Sequence, residues 1–481
     1  MQTISYTPKS ITLDPVSRIE GHLKVEVTID QVNGSQVVVD AKASGTMFRG
    51  IETILTNRSP LDAPDITQRI CGVCPVSHAM ASTLALESAA RFTAPTNARI
   101  MRNLVLGANF LQSHILHFYV LSALDFVEGP SMPPWQPSWS ADKRIAGDAA
   151  LGLVGNYVKA LEIRRKCHEM GALFGGRLPH PPAFVPGGFT TSLRPERISK
   201  FKQYLAEIAG FIENAYIPDV HRVGNAYSDY YQIGTGCRNL IAYGVFDLDD
   251  MGRNKLLRRG IARNGTVGAL DINAITEKVK YSWYADSSDG LKPSSGVTQP
   301  VYPKTTAAYS WLKAPRYAEQ PFEAGPLARM WINGSYDNGI SVMDRHLARA
   351  EEALMVARAM NGWMNELQPA APVYQAFKTP LNASGIGLTE APRGALGHWH
   401  RITSSRTGRY QIITPTCWNA SPMDGRRVPG PIEQALLGTP VDNPDEPVEV
   451  VRVIHSFDPC LSCAVHVARP AEGKRVFAIS S

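Results

Sequence analysis

The chain has 481 residues, of which 44% are hydrophobic and 19% charged, and its formal net charge is +6 at pH 7. A chain of this length and composition can bury a large core and form two or three layers or subdomains. The net charge is small and no block of like charges occurs, which excludes the electrostatic footprint of a nucleic-acid-binding protein. We therefore expect no nucleic-acid partner.

The N-terminal region of about residues 10–60 is predicted to be rich in β-structure. Apolar and polar residues alternate from Leu23 to Ile29, and Asn33-Gly34 supplies a tight turn before the next apolar run. This pattern predicts a β-hairpin. Residues 1–9 are polar and mixed, so we expect no signal peptide of the chain's own, and read alone the sequence suggests a cytoplasmic protein.

A helical bundle is predicted for about residues 75–230. Residues 76–92 are rich in alanine and leucine, residues 97–127 are long and apolar, and residues 151–171 carry a heptad-like pattern. The stretch Leu104–Val127 approaches the length of a membrane span, but polar and charged side chains interrupt it. It is therefore predicted to be an interior helix.

The remainder, about residues 231–466, is predicted to be an irregular α/β region. Residues 247–316 are polar and rich in glycine, proline and serine, which predicts short strands and loops, whereas residues 344–368 carry a strong helical pattern. Residues 369–455 are predicted to be irregular with strands. The fold class is thus predicted to be α+β and predominantly α, with a central long-helix bundle and small peripheral sheets.

Four of the seven cysteines form two Cys-x-x-Cys pairs, Cys71/Cys74 and Cys460/Cys463. This spacing lets two thiolates meet one metal ion from a turn or the first turn of a helix. Each pair has a neighbouring proline that suits the first position of a helix, which predicts that Cys74 opens one helix and that Asp458 is the N-cap of another. The other three cysteines are predicted to be buried apolar residues.

The separation of the two pairs bears on the kind of metal site. Cys460 follows Cys74 by 460 − 74 = 386 residues, whereas a zinc ribbon brings its second pair within about 15–20 residues of the first. The fold must therefore bring together two segments from opposite ends of the chain to form the site. This is more typical of a buried catalytic or redox centre than of a local structural metal site. Four thiolates can hold zinc, an iron–sulfur cluster or a soft transition metal, and the spacing leaves these open.

The wording of the two motifs, Arg69-x-Cys-Gly-x-Cys74 and Asp458-Pro-Cys-x-x-Cys-x-x-His466, resembles the two signature boxes of the large subunit of nickel-iron hydrogenases. The same resemblance is carried by residues 14–22 (DPVSRIEGH), 45–52 (GTMFRGIE), 111–119 (LQSHILHFY), 390–398 (EAPRGALGH) and 410–419. Among its branches the sequence looks closest to the periplasmic uptake type and to the compact nickel-iron-selenium subgroup. That subgroup carries selenocysteine where this chain has Cys460.

The resemblance implies a metal site and a reaction. Cys71 and Cys460 would bind nickel terminally, and Cys74 and Cys463 would bridge nickel and an iron that carries carbon monoxide and cyanide. The implied reaction is the reversible heterolytic cleavage of dihydrogen to protons and electrons, in which Cys460 takes the proton first and Glu20 relays it. The residues alone favour a different interpretation, in which Glu20 is a surface glutamate in a salt bridge beside Arg18.

Arg393 matches an arginine that, by the resemblance, lies over the open face of the metals and contacts the diatomic ligands of the iron. A guanidinium remains charged and can donate up to five hydrogen bonds, which suits this task. Asp458 would orient Arg393 or cap its own helix. The chain departs from the family at Ser113, where many relatives have aspartate, and at Val120, where histidine is common.

A second metal site, for magnesium or iron, is implied by the same resemblance. Its ligands would be Glu52, the backbone carbonyl of Ile412 and His466. If residues 460–466 were helical, six residues at about 100° each would place His466 some 120° away from Cys460, so the histidine would serve a different site. A solvated C-terminal histidine is the alternative.

The resemblance further divides the chain into a single domain, residues 1–466, and a propeptide, residues 467–481, which a maturation endopeptidase removes by cutting between His466 and Val467.

The chain has no cysteine set for an electron-transfer chain, so electrons must leave through an obligate small subunit with iron–sulfur clusters. A cytochrome or quinone-linked acceptor would follow. The implied location is the periplasm, with export through the partner's signal peptide, or a membrane reached through partners.

Three other readings compete with this one. A cytoplasmic cofactor-reducing nickel-iron hydrogenase would differ in its neighbouring subunit. A structural protein with a four-cysteine zinc site is disfavoured by the long separation of the pairs. The quinone-site subunit of respiratory complex I looks similar in fold, but it lacks the cysteine pairs that this chain retains.

Overall fold

The structure is a computed structural model that describes residues 7–139, 142–304 and 307–464, with the backbone alone for residues 463 and 464. The α-helices in these residues are α1 (Ile51–Leu55), α2 (Ala63–Gln68), α3 (Pro75–Ala90), α4 (Thr96–Leu116), α5 (Gly147–Gly175), α6 (Pro195–Phe211), α7 (Ile217–Ala226), α8 (Pro326–Asn333), α9 (Val342–Glu366), α10 (Pro415–Asn419), α11 (Pro431–Leu436), α12 (Val448–Ser456) and α13 (Leu461–Ala464).

The strands in the same residues form six small sheets. They are β1 (Lys9–Leu13), β2 (Leu23–Val32), β3 (Ser35–Gly45), β4 (Phe184–Val185), β5 (Gly188–Phe189), β6 (Asn239–Ala242), β7 (Val245–Asp247), β8 (Lys255–Leu257), β9 (Gly260–Arg263), β10 (Thr266–Gly268), β11 (Ile275–Lys278), β12 (Ala314–Tyr317), β13 (Glu323–Ala324), β14 (Ala383–Ala391), β15 (Gly394–Thr403) and β16 (Arg406–Ile413). About 41% of the described residues are helical, which confirms the predicted α+β class.

Helix α4 lies in the middle of the bundle, packed against α5 and α9. It continues through a π-helical turn, His117–Ser122, and the segment Thr96–Asp125 is long and apolar enough to cross a membrane by length and composition. In its most apolar window, 83% of the residues are buried inside the protein. The prediction of an interior helix here is confirmed. One of its buried charges is paired: Arg102 on α4 binds Glu87 on α3 through two hydrogen bonds of 2.8 and 2.9 Å.

The predicted N-terminal hairpin is present as β2 and β3, joined by a two-residue turn. Asn33 and Gly34 both have positive φ, as this turn type requires. The apolar face of β2, from Leu23 to Ile29, is buried. Near the other end of the chain, β14, β15 and β16 form an antiparallel meander that packs on α3. The two ends of the chain meet directly in two isolated β-bridges, Glu20 with Cys460 and Val37 with Pro440.

Helix α12 was not predicted, because residues 369–455 were expected to be irregular with strands. Its sequence, VEVVRVIHS, is rich in valine, which favours strands. All nine residues are buried, and the helix packs against α9 and α11. Burial of every face against neighbouring helices has overridden the local preference.

Helix α3 packs so closely on β14 that the strand needs glycine at Gly387. A Cβ placed there would overlap the carbonyl oxygen of Ala81 and lie 2.7 Å from the backbone nitrogen of Ala85. We expect Gly387→Ala to lower the free energy of unfolding by about 3 kcal/mol, because overpacking against a backbone is poorly relieved. Gly152→Ala, on an exposed turn of α5 with nothing within 4 Å of its Cβ, should instead leave the melting temperature unchanged or raise it. Equal melting temperatures for the two variants would contradict this packing.

Glu433 at the start of α11 is buried and accepts hydrogen bonds from the Ala43 and Gly430 backbone nitrogens, both 3.0 Å, and from the Tyr309 hydroxyl at 2.8 Å. Burial raises the pKa of Glu433 to about 7, although these hydrogen bonds oppose the shift. At a pH between the ordinary carboxyl pKa and this raised value, Glu433 is ionised in the unfolded chain but still protonated in the folded chain. Stability therefore falls as pH rises through this window, by up to roughly 3 kcal/mol.

The corresponding measurement compares denaturant unfolding of the unchanged protein and Glu433→Gln at pH 5 and pH 8. Glutamine cannot ionise, so the stability advantage of the unchanged protein should be larger at pH 5 than at pH 8. Glu446→Gln, at a position outside the core, should show no such trend. A constant difference for Glu433→Gln across this range would show that the carboxyl titrates alike in both states.

Candidate metal centre

Three of the four paired cysteines meet in the interior. Cys71 follows α2, Cys74 is the N-cap of α3 with Pro75 at the first helical position, and Cys460 directly precedes α13. Their sulfur atoms all lie within 4.8 Å of one another, and Cys71 Sγ is 3.3 Å from Cys460 Sγ. Each of these residues is at most 2% exposed. The prediction that Cys74 opens a helix is confirmed, and the fold closes almost the whole chain to assemble the cluster.

The surroundings of the cluster suit thiolates. The backbone nitrogens of Val73 and Cys74 donate to Cys71 Sγ at 3.2 and 3.4 Å, and the cluster lies at the positive end of the α3 dipole. Buried thiolates in this setting are ligands for a soft metal ion. Cys463 belongs to α13, one helical turn beyond Cys460, and its side chain lies outside the described part.

The prediction that Asp458 is a helix N-cap is wrong. Asp458 has a φ of 55°, and α13 begins at Leu461. The reason is a long-range pairing: the Glu20 nitrogen donates to the Pro459 oxygen at 3.3 Å, and the Leu461 nitrogen donates to the Glu20 oxygen at 2.6 Å. This bridge keeps Pro459 and Cys460 outside the helix, so the helix begins after Cys460 and does not include it.

The bridge places the Glu20 carboxylate against the cluster. Its Oε2 accepts from Cys460 Sγ at 3.1 Å and from the Ser462 nitrogen at 3.0 Å. Gly21 allows this approach, because a Cβ there would lie 2.5 Å from the Ser462 nitrogen. Glu20 also lines a cavity of about 460 Å³ that opens toward the surface. It is therefore not a surface glutamate but lies between the thiols and a route to solvent.

Burial raises the pKa of the Glu20 carboxyl above its ordinary value, and the neighbouring Cys71 sulfur raises it further. Hydrogen bonds from Ser462 and Cys460 oppose part of this shift. A carboxyl with a raised pKa accepts a proton more readily than an ordinary carboxyl does, which suits a group that takes up a proton and passes it on. Glu20 thus has the position and the acidity that proton transfer needs.

Arg393 lies in the two-residue loop of the β14–β15 hairpin, 2% exposed. Its Nη2 is 2.9 Å from Asp458 Oδ1, and its Nη1 donates to the Ser113 hydroxyl at 3.3 Å. Burial opposes the charge of Arg393, but Asp458 and the three cysteine sulfurs outweigh it and raise its pKa well above the ordinary value. Of the two roles expected for Asp458, the structure shows contact with Arg393.

Arg329 on α8 was missed by sequence reasoning. It donates to the carbonyls of Ala391 and Pro392 at 3.0 and 2.8 Å and so holds the hairpin loop that carries Arg393. Its other contacts are ion pairs with Glu352 at 2.6 Å and Glu390 at 2.8 Å, all fully buried. No local pattern marks such a residue, since all its partners are distant in sequence.

Arg49 was also missed, although it lies inside one of the motifs that carry the family resemblance. It donates to the carbonyls of Ile70, Arg69 and Ser462. Two of these carbonyls precede the first cysteine pair and the third lies between the cysteines of the second pair. Arg49 therefore ties the two cysteine motifs together through their backbones.

The structure brings Glu52 and Ile412 together, as the proposed second site requires. Glu52 is 4% exposed, and its Oε1 accepts from the Ile412 nitrogen at 2.7 Å. Its Oε2 accepts from the Thr298 hydroxyl. His466, the third predicted ligand, and Val467 lie outside the described residues, as does the predicted cleavage site between them.

Comparison with known proteins agrees with this geometry. The family model described as nickel-dependent hydrogenase matches residues 49–138 and 131–466, and a second model, described as HoxL-like, matches residues 10–41. The periplasmic nickel-iron-selenium hydrogenase large subunit of Desulfomicrobium baculatum is 42% identical, with 96% of each chain covered. The uptake hydrogenase large subunit of Rhizobium leguminosarum bv. viciae is 33% identical, with 97% of each chain covered.

Among solved structures, the reduced nickel-iron-selenium hydrogenase of D. vulgaris Hildenborough superimposes with a TM-score of 0.92 at 43% identity. The match covers 96% of this chain and all of that one. The chain belongs to the nickel-dependent hydrogenase family. Within that family it is a large, catalytic subunit, and the resemblance to the nickel-iron-selenium branch is confirmed, with cysteine at position 460.

Proposed function

We propose that this chain catalyses the reversible heterolytic cleavage of dihydrogen at a nickel–iron centre and passes the electrons to an iron–sulfur small subunit. The observation that carries the proposal is the 3.1 Å contact between Cys460 Sγ and Glu20 Oε2, beside two further buried thiols. A soft-metal ligand and a proton acceptor are thus in direct contact, which heterolytic cleavage requires.

The residues present fit such a centre. Cys71 and Cys460 would bind nickel terminally, and Cys74 and Cys463 would bridge it to an iron carrying carbon monoxide and cyanide. The Nε of Arg393 is buried and has no hydrogen-bond partner within the described ranges, so it can donate to ligands of the iron. The bound centre would supply the redox chemistry that splits dihydrogen.

The protein's own residues would handle the proton. The Cys460 thiol donates to Glu20 Oε2, and the carboxyl then releases the proton into the cavity of about 460 Å³ that it lines. Arg393 stays charged because Asp458 faces it. Arg329 keeps the hairpin loop in place. The thiols of Cys71, Cys74 and Cys460 are at most 2% exposed, and Glu20 lies between them and the cavity.

A second metal ion, magnesium or iron, would be bound by Glu52, the Ile412 carbonyl and His466. The hydrogen bond from the Ile412 nitrogen to Glu52 supports this pairing. Maturation would end with removal of residues 467–481 by an endopeptidase that cuts after His466. Intact mass of the active enzyme tests this, since a full-length chain in fully active material would contradict the cleavage.

The electron route would run through the iron–sulfur clusters of the small subunit to a cytochrome or quinone-linked acceptor. The named relatives include a periplasmic hydrogenase and an uptake hydrogenase, which supports a periplasmic location and association with a membrane through partners. Export would rely on the signal peptide of the small subunit.

Metal analysis of the native complex tests the proposal as a whole. We expect about one nickel per chain and an excess of iron, the latter mainly from the partner's clusters. Hydrogen uptake with an artificial acceptor should accompany the nickel. Stoichiometric zinc without nickel, in a chain already cut after His466, would contradict the nickel–iron centre and favour a structural zinc site.

A further inference from the structure

A second cavity, of about 670 Å³, lies between the C-terminal part of α3, the first turns of α4, the loop after β7 and the start of β14. Helix α3 has 16 residues, so its C-terminal end is roughly 24 Å from Cys74. A cavity of this volume can hold a small organic molecule. It takes no part in the hydrogenase chemistry proposed above.

The lining of this cavity carries surplus positive charge. Its cationic side chains are Arg91, Arg99, Arg102, Lys255 and Arg259, and its acidic side chains are Glu87, Asp247 and Asp250. Each acidic side chain is already bound by one cation: Glu87 by Arg102, Asp250 by Arg99 and Asp247 by Lys255. Arg91 and Arg259 are exposed and form no ion pair with a described carboxylate, although the Arg259 Nε donates to the Tyr243 carbonyl at 2.9 Å and the charges of Asp247 and Glu390 act on Arg259. Two positive charges therefore remain for a ligand.

Arg102 helps to form the cavity from inside the protein. The residue is 3% exposed, and its two Nη atoms are bound by Glu87 and by the carbonyls of Val185 and Gly188. Its charge is therefore paired with Glu87, and the cations that remain for a ligand are Arg91 and Arg259.

The other side of the cavity is apolar. It is formed by Met80 and Leu84 on α3, Phe92 after that helix, and Ile386 and Leu388 on β14. We propose that this cavity binds a small organic phosphate monoester, with the dianionic phosphate on the arginine side and the organic group against the apolar side. Guanidinium groups match phosphate oxygens in geometry and charge, and a dianion balances the two surplus cations.

The proposal can be tested by titration calorimetry on the native complex at low ionic strength, with phenyl phosphate and inorganic phosphate as probes. We expect one phenyl phosphate per chain, bound about tenfold more tightly than inorganic phosphate because of the apolar wall. The double variant R91Q/R259Q should weaken phenyl phosphate binding by at least about tenfold. R194Q, at an exposed arginine outside the cavity, should bind it as the unchanged protein does.

Two results would overturn the proposal: no saturable heat with phenyl phosphate up to about 10 mM, or equal affinity in R91Q/R259Q. Equal affinity for phenyl phosphate and inorganic phosphate would show that the organic group contributes nothing to binding, which would contradict the proposed contact with the apolar side. If the double variant fails to assemble, the single variants R91Q and R259Q replace it, each with an expected loss of at least about threefold, and unchanged binding in both would again overturn the site. Nickel content and hydrogen uptake report separately on the proposed function.

Discussion

Replacing Glu20 by glutamine should lower hydrogen turnover by about 10²- to 10⁴-fold, the usual contribution of a positioned general acid or base. Glutamine is nearly the same size and can still accept the 3.0 Å hydrogen bond from the Ser462 nitrogen, so the bridge to Pro459 should persist. It cannot take a proton from Cys460. The loss should therefore appear in turnover and not in metal content, which is measured on the same sample.

The matched control is Glu26→Gln, the same change six residues later, where the side chain is 40% exposed on β2. It should leave turnover unchanged. Glu20→Asp keeps the carboxylate but shortens its reach, so its turnover should fall between those of the unchanged protein and Glu20→Gln. Turnover near the unchanged level in Glu20→Gln, with nickel in place, would remove Glu20 from the proton route.

Nickel loss is the expected result of Cys71→Ser. Serine keeps the size of the side chain, but its hydroxyl is a hard ligand that stays protonated at neutral pH, so a soft metal is held poorly. The nickel content per chain should fall by more than about tenfold, and hydrogen turnover with it. Cys71 is 2% exposed and 3.3 Å from Cys460 Sγ, so no other described thiol can take its place.

Cys237→Ser provides the control, because Cys237 is partly buried but lies outside the cluster, with its thiol donating to the Asn239 carbonyl at 3.5 Å. Nickel content should be unchanged in this variant. Elemental analysis of both proteins, each purified with its partner subunit, provides the comparison. Full nickel in Cys71→Ser would show that this cysteine is not a ligand.

Much of the candidate site could be predicted because its residues lie in short sequence motifs. The two Cys-x-x-Cys pairs indicate metal by spacing alone, and Pro75 correctly predicted that Cys74 opens a helix. The assignments of Glu20 and Arg393 depended on the family resemblance, because a lone glutamate or arginine carries no such signal. The alternation in β2 and the apolar run of α4 were sufficient to predict their burial.

The remaining features depend on contacts between distant segments. The wrong assignment of Asp458 as an N-cap followed from a local rule that the pairing of Glu20 with residues 459–461 overrides. The valine-rich α12 is helical only because its neighbours bury it. Arg329 and Arg49 act on backbone carbonyls remote in the sequence, which no single-segment pattern can reveal.

The distance along the chain between the two cysteine motifs has a consequence for synthesis in the cell. Cys71 and Cys460 are 389 positions apart, so at typical elongation rates the first motif emerges roughly 20 to 80 seconds before the second. Throughout this interval the first pair of thiols is exposed without the segment that buries it. Metal loading of the assembled site must therefore follow the end of translation, and the early thiols need protection from oxidation until then.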